Sequence, residues 1–276
     1  MSWSSLDHNG HLFMADASQF DELRSAMATR LLETEPQNFG TWQSKSIEGS
    51  RAHDTYELLN AQVWYQMPQT QVDAQEFIKP DLPWAEAHFQ ERIGGEAINP
   101  GVEWKNWPYH ANASDLHLKG GQFEHNYMER MWPTKLTYDN SWTAHAGLKF
   151  EGYRFDVGDL DDVIVQLQEN IHTRQAYLPI WFPEDTGATS GQRVPCTLGY
   201  HFIVRDNKLH VQYNMRSCEV YRHFTNDVYM AVRLAQWVAM SLVAGLGSVD
   251  LGQLTMNIVS FHGFRADTEK IGEFIK

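Results

Sequence analysis

The residues best suited to chemistry lie in three short segments: Val194-Pro195-Cys196-Thr197, Asn214-Met215-Arg216-Ser217-Cys218-Glu219-Val220 and Phe224-Thr225-Asn226-Asp227. A cysteine is a nucleophile only as its thiolate, which needs positive charge close by. Arg216 follows Cys196 by twenty residues, with the polar turn Arg205-Asp206-Asn207-Lys208 between them. The apolar stretches Leu198 to Val204 and Leu209 to Tyr213 flank that turn, so the pattern predicts a hairpin with Arg216 across from Cys196. A lone cysteine is more often a packing residue. The arginine-serine pair and the downstream acid favour the nucleophile here, and Cys218 is assigned to packing.

Several elements must position these groups. Residues 18–35 have helical spacing after a capping serine, and 84–93 form a second helical stretch ended by Gly94-Gly95. Residues 37–80 are mixed and Gln-rich and carry only a weak signal. A loop region rich in tryptophan follows, with Trp104, Trp107, Trp132 and Trp142. Asp159-Leu160-Asp161-Asp162 reads as a capping box opening a helix whose apolar face is Leu160, Val163, Ile164 and Leu167. Ala176 to Phe182 is an apolar stretch, and Pro179 inside it predicts an edge strand. Thr225 to Leu246 reads as a long buried helix, and Gln253 to Val259 as a final strand.

Bulk properties exclude several classes. The chain has 276 residues, 42% hydrophobic and 13% aromatic, enough to bury a substantial core. Net charge is −13, which disfavours nucleic acid or anionic membrane as the main partner but still allows a small anion held by a few local cations. The most apolar run, Val228 to Leu246, is broken by Arg233, Gln236 and Ser241. The first residues lack the basic and apolar regions of a signal peptide, and two cysteines give no disulfide framework; a cytoplasmic protein is expected. His110, His117, His125 and His145 show no paired ligand spacing, so no metal is expected.

Taken as an ordered set, the motifs resemble the thymidylate synthase superfamily, and within it the phage deoxycytidylate hydroxymethylases. The resemblance covers residues 159–264 strongly and 84–132 in patches. It implies an α+β fold, a large mixed β-sheet with flanking helices, as one domain over 1–276. It also implies a homodimer formed through the sheet, with shared active sites. By resemblance, Cys196 adds to carbon 6 of a pyrimidine nucleotide, so that carbon 5 can attack the one-carbon unit of 5,10-methylenetetrahydrofolate, the co-substrate. Arg216 and Ser217 match the phosphate binders. Arg174 keeps one of two consecutive arginines that reach the partner's phosphate, while Gln175 replaces the second; Arg51 and Arg193 are candidate substitutes.

Asp227 stands where uracil-using members carry asparagine. Cytosine offers an amino donor at position 4, and its N3 becomes a donor when protonated during attack at carbon 6. A carboxylate with two acceptor oxygens matches that pattern. Asn226 is the alternative base reader. Glu86 is the candidate for the family's acid–base glutamate, with Phe89 in place of the usual Trp three residues on, and Asp81 and Glu91 as local rivals. An apolar surround is expected to raise its pKa. Tyr127 matches the tyrosine that assists loss of the carbon 5 proton. His262 matches a sugar-binding histidine, although Phe264 lacks the family's hydroxyl. Glu219 and Trp104 are expected at the folate.

The reading is a folate-dependent cytidylate 5-hydroxymethyltransferase acting on dCMP or CMP. The alternatives are C5 methylation of cytidylate or uridylate by hydride transfer from the folate, and a non-catalytic nucleotide- or RNA-binding homologue.

Overall fold

The predicted hairpin forms around a turn tighter than the sequence pattern implied. Asp206 and Asn207, both with positive φ (50° and 55°), close it as a two-residue turn, and the strands run Thr197–Arg205 and Lys208–Glu219. Asp and Asn tolerate this left-handed backbone, whose twist suits tight hairpins. The second strand therefore extends through Arg216 and Ser217.

The computed structural model describes residues 11–42, 45–110, 118–135, 157–186 and 193–275. Trp142, His117 and His145 lie outside them. Six strands form one mixed sheet: β1 (His11–Ala15), β2 (Thr55–Gln66), β3 (Tyr177–Pro179), β4 (Thr197–Arg205), β5 (Lys208–Glu219) and β6 (Asp250–Phe264). Their spatial order is β1-β2-β6-β5-β4-β3. β1 pairs parallel with β2, and β6 parallel with β5; the other pairs are antiparallel. The helices are α1 (Phe20–Leu32), α2 (Gln71–Ile78), α3 (Trp84–Arg92), α4 (Tyr127–Met131), α5 (Leu160–Glu169), α6 (Pro183–Thr186), α7 (Phe224–Leu246) and α8 (Thr268–Gly272).

α7 packs its apolar side on the sheet through Val228, Ala231, Val232, Ala235 and Val238, all fully buried in the main core with Tyr213, Met215 and Met256. α1 adds Phe20, Leu23, Met27 and Leu31 to the same core. The Asp159–Asp162 capping box opens α5 as expected, with Leu160, Val163, Ile164 and Leu167 buried. β3 is an edge strand, which accommodates Pro179. The central strand β2 lies in the segment whose signal was weak. Among the described residues no helix is long and apolar enough to cross a membrane.

One irregularity crosses the sheet and shapes the site. In a regular strand, burial alternates every second residue. Here Met215, Ile258 and Ala61 are buried neighbours on β5, β6 and β2, and the next buried row is Cys218, Phe261 and Leu58. The step is three residues in each strand. The intervening pairs Arg216-Ser217, Val259-Ser260 and Leu59-Asn60 are all off the buried face, and Asn60 has φ 57°. β4 carries a matching register shift between Thr197 and Gly199. Bulges re-aim side chains in this way.

α4 is anchored by a buried pair. Arg130 donates through Nη1 and Nη2 to the two oxygens of Asp185 at 2.6 and 2.9 Å, and to Ile180 O at 3.1 Å. Removing one partner strands a buried charge. Asp185→Ala should therefore cost about 3–5 kcal/mol in urea unfolding, and adding Arg130→Met should recover part of it; an unchanged midpoint for Asp185→Ala would show that the pair does not anchor α4.

Candidate active site

Cys196 sits at the mouth of β4, half-buried, with its sulfur free of any disulfide. The Arg216 N–H donates to Cys196 O at 2.9 Å, which fixes the pair across the hairpin. The Arg216 guanidinium then holds the approach to the cysteine, with Nε donating to Pro195 O at 2.8 Å and Nη2 to Val194 O at 2.9 Å. The same Nη2 lies 3.7 Å from Cys196 Sγ, and Ser217 Oγ lies 3.6 Å from it. Two consecutive strand residues thus offer donors to one sulfur, an arrangement that the burial slip at this level allows.

Thr197, the next residue, opens a hydroxyl network. Its Oγ1 donates to Tyr127 Oη at 3.2 Å and is 2.8 Å from Tyr213 Oη, and the Tyr213 ring stacks on Tyr200 with centroids 4.4 Å apart. Burial pushes the Tyr127 phenol up, and the charges of Cys196 and Asp227 push it further. Tyr127 therefore lies within electrostatic reach of both groups.

Asp227 occupies the first turn of α7. The Cys218 thiol donates to its Oδ2 at 3.6 Å, and Cys218 in turn feels both Asp227 and Cys196. Burial raises the Asp227 carboxyl to about 6, against the opposing effects of Arg92 and the Cys218 hydrogen bond. Asn226 points elsewhere. Its amide donates to Asp81 Oδ2 at 2.9 Å and to Arg222 O at 3.3 Å, while its oxygen accepts from the Asp81 N–H at 3.0 Å. These bonds tie α7 to the segment ahead of α3, so Asn226 is a structural brace and Asp227 faces the thiol cluster.

Glu86 is not brought to that cluster. Its carboxylate accepts from Arg233 Nε and Nη2, both at 2.9 Å, from Tyr229 Oη at 2.6 Å and from Gln90 at 2.8 Å. Burial pushes this carboxyl up, but the hydrogen bonds from Arg233, Tyr229 and Gln90 outweigh it and leave it below the ordinary range, the reverse of the expected shift. The reason is helical phase. Tyr229 and Arg233 leave α7 on the side away from Asp227, and Glu86 leaves α3 on the side away from His88 and Arg92.

Arg92 is the α3 residue that reaches the cluster. Its guanidinium lies 4.3 Å from the Tyr127 ring centroid and acts electrostatically on Asp227. Its position at the end of a helix carried no motif, so the sequence offered no signal for it. Arg193 also joins the cluster, within electrostatic reach of Cys196, Tyr127 and Arg216. Arg51 is exposed in a turn ahead of β2, with no link to the cluster among the described residues.

The remaining expected residues are spread around this centre. His262 lies on β6 within reach of Glu57 and Arg216, and burial lowers its pKa. Glu219 accepts from the N–H groups of Tyr221 (3.0 Å) and Arg222 (2.6 Å), clamping the turn between β5 and α7; burial nevertheless raises it to about 7. Arg174 is exposed in the loop ahead of edge strand β3, away from its own chain's Cys196 cluster. Trp104 packs on His110 and Phe123. Beside it Trp107 stacks on His223 at 5.3 Å and meets Trp84 at 6.3 Å, forming an aromatic wall at the start of α7. The indole N–H groups of Trp104 and Trp107 are buried without a hydrogen-bond partner among the described residues.

Comparison with known proteins agrees with this geometry. The chain is 29% identical over 141 residues to "Putative thymidylate synthase" of Methanothermobacter thermautotrophicus, and 26% identical over 130 residues to the protein of the same name from Methanosarcina acetivorans. Those alignments cover 51% and 47% of this chain, and the chain spans only 56% and 57% of the relatives' length. The fold is similar to that of the thermostable thymidylate synthase A from Bacillus subtilis, with a TM-score of 0.62 at 16% identity over 95% of this chain and 84% of that one. The family model described as Thymidylate synthase matches residues 63–276. With far more than half of its length matched, the chain belongs to the thymidylate synthase family.

Proposed function

We propose that the protein is a cytidylate 5-hydroxymethyltransferase that uses 5,10-methylenetetrahydrofolate. The observation that carries the reading is the carboxylate of Asp227 facing the same cluster as the Cys196 thiol. Facing uracil O4, that carboxylate would set acceptor against acceptor, at a cost of roughly 1–3 kcal/mol. Facing cytosine it accepts from the 4-amino group and from N3 once protonated.

Cys196 adds to carbon 6, while Arg216 Nη2 and Ser217 Oγ donate to the sulfur as it exchanges charge with the ring. Electron density gathers at carbon 5, and Tyr127, linked through Thr197 to Tyr213, takes part in moving the carbon 5 proton. The folate, when bound, supplies the one-carbon unit at the oxidation level of formaldehyde. Trp84, Trp104 and Trp107 would hold it, since two of these indoles keep buried N–H groups unpaired among the described residues. After the carbon 5 proton and tetrahydrofolate have left, water adds to the exocyclic carbon, and elimination of Cys196 releases the product.

Arg216, Ser217 and Arg193 supply donors for the phosphate, and His262 stands near Arg216 for the sugar. Arg174 would act on the phosphate of a second subunit. A homodimer through the sheet is consistent with the exposure of Met14, Leu59, Tyr177 and Val259, which leaves apolar groups on the sheet uncovered. The second reading, methylation of uridylate, is favoured by the name that the archaeal relatives carry.

Product mass separates the two. Incubating CMP, dCMP, UMP and dUMP with 5,10-methylenetetrahydrofolate should add CH2O to a cytidylate with no rise in dihydrofolate absorbance. Addition of CH2 accompanied by dihydrofolate would overturn the hydroxymethyl assignment.

Asp227→Asn should move base preference toward uridylate, because an amide pairs with N3–H and O4. It should also stabilise the protein at neutral pH. A carboxyl raised to about 6 is penalised when ionised, so its cost to folding is full above that value and vanishes below the ordinary 3.8. The melting temperature should therefore rise by roughly 2–4 °C at neutral pH, and the gain should fade as pH falls from about 6 through 3.8. A gain that grew on acidification would refute the burial of this charge.

A further inference from the structure

Glu91 leaves α3 on the face that also carries His88 and Arg92. Its side chain is 12% exposed, and its two oxygens serve different parts of the site. Oε1 accepts the N–H groups of Val102 and Glu103, the latter at 2.9 Å, at the start of the short helix Glu103–Asn106 that carries Trp104. Trp107 follows that helix directly. The segment packs closely on the carboxylate: a Cβ at Gly101, where φ is 82°, would lie 2.9 Å from Oε1. Trp84 holds the same segment by donating its Nε1–H to Glu103 O at 2.9 Å.

Oε2 faces His88. It lies 3.2 Å from Nδ1, while the Arg92 Nε–H donates to Nε2 of the same ring at 3.2 Å. A guanidinium has only donors, so Nε2 must accept, and the ring proton sits on Nδ1 and points at Glu91. The imidazole stacks on Trp84, with centroids 5.3 Å apart. Burial first, and the Arg92 charge second, push His88 down to about 4, which keeps the ring neutral at physiological pH. Beyond His88, the Arg92 guanidinium lies 4.3 Å from the Tyr127 ring centroid, and Tyr127 Oη accepts from Thr197 at 3.2 Å. A continuous run of hydrogen bonds, closed by a cation on a ring face, thus links the tryptophan segment to the Tyr127 phenol.

We propose that Glu91 is the positioning residue that joins the two halves of the site. One carboxylate oxygen seats the segment bearing Trp104 and Trp107, and the other, through neutral His88 and Arg92, holds the Tyr127 ring. The proposal rests on the reading of Tyr127 as the group that moves the carbon 5 proton and of the tryptophans as the folate wall. Glu91 itself moves no proton.

Glu91→Gln separates the two duties. The amide oxygen can still accept from Val102 and Glu103, which leaves the amide NH2 facing His88 Nδ1. Nδ1 must then accept, the ring proton moves to Nε2, and that N–H meets the Arg92 Nε–H donor against donor. The tryptophan segment stays seated while the hold on Tyr127 is lost. His88→Phe keeps a ring on Trp84 and breaks the same link.

The test reads the link first and the reaction second. In full-length protein with 15N-labelled histidine, the His88 signals are identified by their absence in His88→Phe. The wild type should show the proton on Nδ1, and Glu91→Gln should show it on Nε2. The Tyr127 signal of 13C-tyrosine protein, identified by its absence in Tyr127→Phe, should shift in Glu91→Gln and in His88→Phe. A wild-type proton on Nε2, an unchanged tautomer in Glu91→Gln, or an unmoved Tyr127 signal would overturn the proposal. Should Glu91→Gln not fold, the wild-type tautomer and the Tyr127 signal of His88→Phe decide it.

Release of tritium from carbon 5 of labelled CMP and dCMP is then measured with 5,10-methylenetetrahydrofolate. In Glu91→Gln kcat should fall roughly tenfold with the folate KM within about twofold, whereas Glu91→Ala should also raise that KM roughly tenfold. An unchanged kcat in Glu91→Gln, or a folate KM that rises as much as in Glu91→Ala, would overturn the division of duties. Wild-type protein that releases tritium from neither nucleotide would sink the cytidylate reading, with the tautomer and the Tyr127 signal still deciding the link.

Discussion

The site depends on a break in strand alternation. In an unbroken strand Arg216 and Ser217 would project from opposite faces, and one sulfur could not receive donors from both. The three-residue step shared by β5, β6 and β2, matched by the register shift in β4, turns both side chains toward Cys196. Paired strands must slip together, because a slip in one alone would leave ladder groups unpaired. The setting of the Cys196 thiol is therefore a property of the whole sheet. The same step returns Cys218 to the buried side, where it meets Asp227.

Charge is sorted by helical phase. On α3 and α7, residues two positions apart face nearly opposite directions, and residues six apart differ by about 120°. Glu86 meets Arg233 as a bidentate pair, while the Arg92 guanidinium lies against the Tyr127 ring.

The legibility of these features follows from their range. The hairpin, the capping box of α5, the edge strand and α7 rest on local chemistry (turn residues, caps and apolar spacing) and were readable from Asp206-Asn207, Asp159-Asp162, Pro179 and the run from Val228. Cys196 and Arg216 meet because a hairpin sets their register. β2 was hidden: its alternation breaks at Leu59-Asn60, so no single period fits Thr55 to Gln66. Glu86 turns to Arg233, which the sequence did not show, because motif spacing fixes position along α3 but not rotation about it. Arg92 was missed because its contact with Tyr127 joins the end of α3 to α4, and a contact between separate elements leaves no mark in either segment alone.

The central claim is that a thiol and a carboxylate address one pyrimidine ring from β4 and α7. Release of tritium from carbon 5 of labelled cytidylate, compared with labelled uridylate, tests it most directly, since exchange at carbon 5 requires prior attack at carbon 6. The account predicts release from cytidylate in clear excess, abolished by Cys196→Ser. Release from uridylate alone, or release that survives loss of the Cys196 thiol, would contradict it.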